Sequence, residues 1–225
     1  MTLSNKYRNL KLVIFDVDGT LYRQAPLRRI MALKLAFHYL LRPWKYKELL
    51  MLKEFREQRE ILANQADADL STSQYRIPAQ SAGVSVAVLE ALVKHWMLIA
   101  PLPYLKKNVF PSVHKVFHIL KENKIKIAVL SDYPASEKLE VLGLKADLIV
   151  SAAEAHINCL KPGTKGISYI LNYFNIKPAE CLFVGDRPEL DGKCAGRMKI
   201  PFYQIRNNDD HEKLIVLLKK QSEVF

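Results

Sequence analysis

Cysteine is scarce in this chain: three residues, Cys159, Cys181 and Cys194, with no C-x-x-C pair among them. An odd, unpaired set argues against a disulfide framework and reads as reduced packing residues. No apolar run approaches the roughly 20 residues that span a bilayer. The opening stretch MTLSNKYRNLK has no apolar signal core. The expectation is a soluble, cytoplasmic protein. Internal repeats and low-complexity tracts are absent as well. Acids are under-represented, with 23 Asp and Glu against 34 Lys and Arg and a net charge of +11. Such an excess attracts nucleic acid, anionic lipid or anionic metabolites. It is concentrated between Arg23 and Lys107, where 14 basic residues face 7 acidic ones. What remains is an ordinary globular composition, 49% hydrophobic and 25% charged.

Short, nearly continuous apolar runs rich in Val and Ile recur at 10–16, 126–131, 147–151, 181–185 and 200–205. This is the pattern of parallel strands covered on both faces. Helical patterns lie between them, over PSVHKVFHILKEN, PASEKLEVLG, TKGISYILNYF, PELDGKCAG and DDHEKLIVLLKK. Pro134 suits a first helical turn, Gly143 a C-cap and Thr164 an N-cap. The alternation predicts an α/β fold, a doubly wound parallel sheet of five strands in the order 3-2-1-4-5. One segment departs from it. Residues 23–107 read as helices separated by Pro43, Pro78 and Gly83, ending in the linker-like PLPYLKKNVFP. The expected organisation is a core of 1–22 and 108–225 with an all-helical insert of 23–107.

The acids gather where that sheet would bind a ligand. Asp16 and Asp18 follow strand one in KLVIFDVDGTLY, Ser131 and Asp132 end strand two, and Asp186 and Asp191 follow strand four in FVGDRPELD. Ligands of open parallel sheets bind at the carboxyl ends of the strands, near the point where the winding reverses. Asp16 and Asp186, on neighbouring strand ends, can share Mg²⁺, which favours oxygen ligands. Gly19 and Gly185 free the turns beside them. Lys161, in NCLKPG, can supply a positive partner.

In order, DVDGTL, VLSD, KPG and GDRPELD resemble the four motifs of the haloacid dehalogenase-like hydrolase superfamily, and the helical insert resembles its mobile cap. The resemblance implies a Mg²⁺-dependent phosphatase working through an aspartyl-phosphate. Asp16 would be the nucleophile and Asp18 the general acid and base. Ser131 and Lys161 would bind the phosphoryl group. Asp16, Asp186 and the Asp18 carbonyl would hold Mg²⁺, with Asp191 supporting them. An acid two residues after the nucleophile is absent from the dehalogenase branch, so Asp18 favours phosphate esters. Asp132-Tyr133-Pro134 departs from the second motif and leaves the substrate class open.

Other features carry less. Asp209 and Asp210 read as the N-cap and dipole partners of the last helix. His114 and His118 have metal-like spacing but no third ligand. Arg187 either braces its loop or neutralises acids. Arg23 and Arg28, closest to the first motif, are the substrate-binding candidates in the cap. Leu33, Phe37, Leu40 and Leu41 make the first cap helix apolar nearly all round, which is read as burial in the cap or a dimer. Membrane association is the less favoured reading. The expected partner is a small phosphorylated metabolite, with no specific nucleic acid, and the chain a monomer or homodimer. The rivals are a phosphomutase of the same fold and a non-catalytic binding or membrane-associated protein that uses the basic cap.

Overall fold

The computed structural model describes residues 9–63 and 70–222. The expected limits at residues 1 and 225, and residues 64–69 of the helical insert, lie outside them. Five parallel strands form one sheet: β1 (Leu12–Phe15), β2 (Lys126–Ser131), β3 (Leu148–Ser151), β4 (Cys181–Gly185) and β5 (Phe202–Gln204). Their order is β3-β2-β1-β4-β5, as expected. Side chains alternate across the sheet. Val13, Phe15, Ile127, Val129, Leu182 and Val184 enter one core, and Leu12, Ile14, Ala128, Leu130, Cys181 and Phe183 the other. Both faces are therefore covered, which is why these strands are apolar throughout. All three cysteines are free, with Cys181 and Cys194 buried.

Between β1 and β2 the described chain has no strand. It forms α1 (Gln24–Leu40), α2 (Tyr46–Ala63), α3 (Leu70–Ala82), α4 (Val86–Val93) and α5 (Leu102–Asn108). The chain leaves and returns along adjacent paths: Arg23 N–H donates to the Asn108 carbonyl at 2.8 Å and Phe110 N–H to that of Leu21 at 3.2 Å. The core helices are α6 (Val113–Glu122), α7 (Ser136–Leu142), α8 (Lys165–Phe174), α9 (Lys193–Arg197) and α10 (Asn208–Ser222).

Several local expectations change. PLPYLKKNVFP contains α5, because Pro101 stands at its N-cap and Pro103 in its first turn, where no N–H partner is required. Pro78 lies inside α3, not between helices, and Gly83 at φ +66° marks that helix's end. Helix α7 begins at Ser136, two residues after Pro134, and stops at Gly143 in the left-handed conformation as expected. Thr164 precedes α8 without a side-chain capping bond. Asn207 caps α10, accepting from Asp209 N–H at 2.9 Å. Asp209 and Asp210 lie within its first turn, where their charges still suit the helix dipole. His114 and His118 are exposed on α6.

Two corrections concern the apolar insert. Val86–Asn108 is long and apolar enough to cross a bilayer by length and composition, with mean hydropathy 1.4. Glu90 and Lys94 divide that run in the sequence. Yet Leu89, Val93, Trp96 and Leu105 are built into the larger core. Leu33, Phe37, Leu40 and Leu41 are exposed, not buried within the insert, because α1 turns its Leu27, Met31 and Tyr39 side inward.

Candidate active site

The strand ends converge on one cluster. Asp16 follows β1, and its Oδ1 accepts from Lys161 Nζ at 2.5 Å while its Oδ2 accepts from Thr20 Oγ1 at 3.0 Å. Lys161 reaches on to Asp191 Oδ1 at 2.7 Å. The other Asp191 oxygen accepts the Arg187 backbone N–H at 3.0 Å, which ties the loop after β4 to the site. Asp16, Lys161 and Asp191 are all buried. Ser131 is also buried at the end of β2, where its Oγ accepts from Tyr133 N–H at 3.3 Å. The Asp132 carboxylate accepts from Lys161 N–H at 3.1 Å and so fixes the loop that carries the lysine.

Two glycines make room for the acids. A Cβ on Gly19, whose φ is +99°, would stand 2.1 Å from Asp186 Oδ2. One on Gly185 would stand 2.5 Å from Asp191 Oδ2. Gly19 thus serves both the turn and the close approach, whereas Gly185 serves close approach alone.

Burial raises Asp16 well above the usual carboxylate range, and the charges of Asp191 and Asp186 add to this while Lys161 opposes it. Asp186 is pushed up to about 6, first by burial and then by Asp191. Lys161 is held above its ordinary value because Asp16 and Asp191 outweigh the cost of its burial. Three carboxylates therefore share one lysine. Oxygens of Asp16, Asp186 and Asp191 lie within 4.8 Å of one another, and Asp186 Oδ1 is buried with no hydrogen-bond partner among the described residues. An excess of buried negative charge with an orphaned oxygen donor fits a hard divalent cation. Added Mg²⁺ should raise the thermal unfolding midpoint, with about 2.7 kcal/mol of stabilisation at a hundredfold excess over Kd. Asp186→Asn should abolish most of that rise, and an unchanged midpoint in the native chain would contradict the site.

Asp18 lies apart from this cluster. Lys138 Nζ from α7 contacts its two oxygens at 2.6 and 2.8 Å, and the Tyr22 hydroxyl donates to Oδ1. Burial opposes the charge on Asp18, but Lys138 and the Tyr22 hydrogen bond outweigh it and hold the carboxyl below its usual range. Lys138 is buried, and sequence reasoning missed it. Its signal was a lysine on the stripe of Ala135, Leu139 and Leu142, where an unpaired charge is too costly to keep. Arg59 repeats that signal on the α2 stripe of Met51, Leu52, Phe55 and Leu62. It bonds the Asp132 carbonyl at 2.5 Å and lies 4.2 Å from the Tyr133 ring centroid, joining α2 to the loop after β2.

A cavity of about 450 Å³ opens over the cluster, between the strand ends and helices α1 and α2. Asp16, Asp18, Ser131, Lys161 and Asp191 all line it. Arg28 and Arg56 line its helical side, whereas Arg23 is exposed at the start of α1 and lies outside the lining. Arg187 lines the cavity and pairs with Glu189 at 3.0 Å.

Behind the first loop, His211 Nε2 of α10 meets the Thr20 carbonyl at 2.9 Å. Burial lowers this imidazole from 6.5 to about 4, so the folded chain holds it neutral. Its folded value lies below its unfolded one. The stability it contributes is complete above pH 6.5 and is lost as pH falls towards about 4. The limit, at 1.36 kcal/mol per unit, is about 3 kcal/mol. Unfolding midpoints across this window should fall less steeply for His211→Gln, and equal slopes would exclude the effect.

Known proteins share parts of this sequence and its fold. A fragment of 54 residues, 24% of the chain, is 39% identical to a probable D-glycero-D-manno-heptose-1,7-bisphosphate 7-phosphatase of Thermoplasma volcanium and spans 37% of it. The fold resembles a HAD phosphatase from Thermococcus onnurineus, with TM-score 0.63 and 20% identity over 92% of this chain and 98% of that one. It resembles a 2-haloacid dehalogenase from Pseudomonas syringae almost equally, with TM-score 0.62 and 20% identity over 94% and 99%. The model of the haloacid dehalogenase-like hydrolases matches residues 10–197. That span carries every acid of the cluster together with Lys161, and the chain belongs to the haloacid dehalogenase-like hydrolase family.

Proposed function

We propose that the chain is a Mg²⁺-dependent phosphatase of a small phosphorylated metabolite, with residues 23–107 acting as a cap over the catalytic core. The observation that carries this reading is the pair of separate carboxylates on one cavity: Asp16 within the acidic cluster, and Asp18 held by Lys138 and Tyr22. A dehalogenase has no use for the second carboxylate, because a halide leaves without a proton.

In this mechanism an oxygen of Asp16 attacks phosphorus and the ester P–O bond breaks, leaving an aspartyl-phosphate. Asp18 delivers a proton to the departing oxygen. Its carboxyl is ionised in the free site, and the approach of a phosphate's negative charge favours the protonated form. Water then attacks phosphorus, Asp18 takes its proton, and phosphate leaves Asp16 regenerated. Lys161 and Ser131 hold the phosphoryl oxygens. Asp16, Asp186 and Asp191 would hold Mg²⁺, which offsets charge on the phosphoryl group when bound. Arg28 and Arg56 line the helical side and draw an anionic substrate inward.

The test is product release from a panel of phosphomonoesters and 2-haloacids, with Mg²⁺ and with chelator. Metal-dependent phosphate release is the expected result. Halide release would make the chain a dehalogenase. A phosphate that moves within the substrate without release would favour a mutase.

A further inference from the structure

The first insert helix has an outer surface that the active site does not use. Leu33, Phe37, Leu40 and Leu41 fall at i, i+4, i+7 and i+8, on one face of α1. Trp44 follows in the turn Pro43–Lys45. These five side chains are between 56% and 76% exposed. By helical periodicity Leu33, Phe37 and Leu40 point away from the side of α1 whose Gln24, Leu27, Arg28 and Met31 line the cavity. A contiguous row of large apolar groups facing water marks a contact surface.

The charge around the row says what covers it. From Arg29 to Lys53 the chain carries six basic residues and one acid, Glu48. Glu48 is itself paired with Lys45 at 3.1 Å. Arg29 and Lys34 flank the row on its two sides by helical periodicity, and Arg42 and Lys47 stand exposed beyond its end. Long basic side chains around an apolar strip, with tryptophan at its end, match the interface of an anionic bilayer: acyl chains meet the leucines and headgroups meet the cations. A second copy of the chain in two-fold contact would set this basic patch against itself. A nucleic acid would find phosphate partners, but three of the five apolar groups are leucines, which offer no ring for a base to stack on.

We infer that the outer face of α1 and the turn after it bind the surface of an anionic phospholipid membrane, holding the protein peripherally with its cavity on the far side of the helix. The contact is made by α1 and the turn after it, while Leu89, Val93 and Leu105 of the apolar stretch Val86–Asn108 belong to the core.

The experiment is flotation of the full chain with phosphatidylcholine vesicles, with and without phosphatidylserine, at low and high salt. The chain should float with the anionic vesicles, less so at high salt, and Trp44 fluorescence should shift to the blue. Leu33→Ser/Phe37→Ser/Leu40→Ser should weaken vesicle binding at least about tenfold. Its unfolding midpoint and phosphate release should stay those of the native chain. Arg42→Gln/Lys47→Gln should lose the preference for anionic over neutral vesicles. No flotation of the native chain would overturn the inference, as would equal flotation of the serine variant. A native dimer that the serine variant makes monomeric would instead assign the face to self-association. Because soluble phosphate esters report on the cavity separately, failure here and failure of the phosphatase reading are distinguishable.

Discussion

If the chain is the proposed phosphatase, phosphate release should fall by about four orders of magnitude or more in Asp16→Asn, while the folded chain should become no less stable. The activity loss follows from the chemistry, since an amide neither attacks phosphorus nor carries it as an acyl phosphate. The stability result follows from electrostatics. Burial and the neighbouring Asp191 and Asp186 raise the Asp16 carboxyl far above an ordinary aspartate. A carboxyl raised on folding binds its proton more tightly in the native state, so its ionisation weakens the fold as pH rises through the shifted value. Asparagine carries no such charge, and Lys161 keeps Asp191 at 2.7 Å. Unfolding midpoints in chelator at neutral pH should therefore be equal or higher in the variant. A lowered midpoint together with lost activity would make Asp16 a structural residue.

Lys138→Met should lower kcat by about a hundredfold, within the span that a positioned acid or base supplies. It should also move the acid limb of the rate profile upward. Lys138 is the main influence that keeps Asp18 ionised against burial. Without it the carboxyl rises, and the form able to take a proton from water becomes populated only at higher pH. Lys138→Arg, which keeps a cation there, should restore much of the limb's position. A variant with lowered kcat but an unmoved limb would indicate that Lys138 only packs α7 against the first loop.

The parts of this fold that were legible in the sequence are those set by local repetition. Each strand is apolar on both faces, so its run of Val, Ile and Leu identifies it without knowledge of its neighbours. Gly143 and Gly83 end helices for reasons local to the backbone. The acids at the ends of β1 and β4 follow directly from strand position. Lys138 and Arg59 were harder, because each acts across the chain: one spans from α7 to the β1 loop, the other from α2 to the β2 loop. Their only local trace is a charge set in an apolar stripe. The α1 face misled for the opposite reason. A helix apolar nearly all round reads as buried, and only the tertiary arrangement reveals that one side has nothing against it among the described residues. Arg23 and Arg28 are five residues apart, yet α1 brings Arg28 to the cavity and leaves Arg23 outside it.

The central claim is that phosphorus becomes bonded to Asp16 during turnover. The most direct measurement is rapid acid quenching of the native chain with a good phosphomonoester and Mg²⁺, followed by peptide mass mapping. The account predicts a phosphoryl group on the peptide containing Asp16, formed before phosphate appears in solution and absent from Asp16→Asn. Steady phosphate release from the native chain with Asp16 never modified would contradict it.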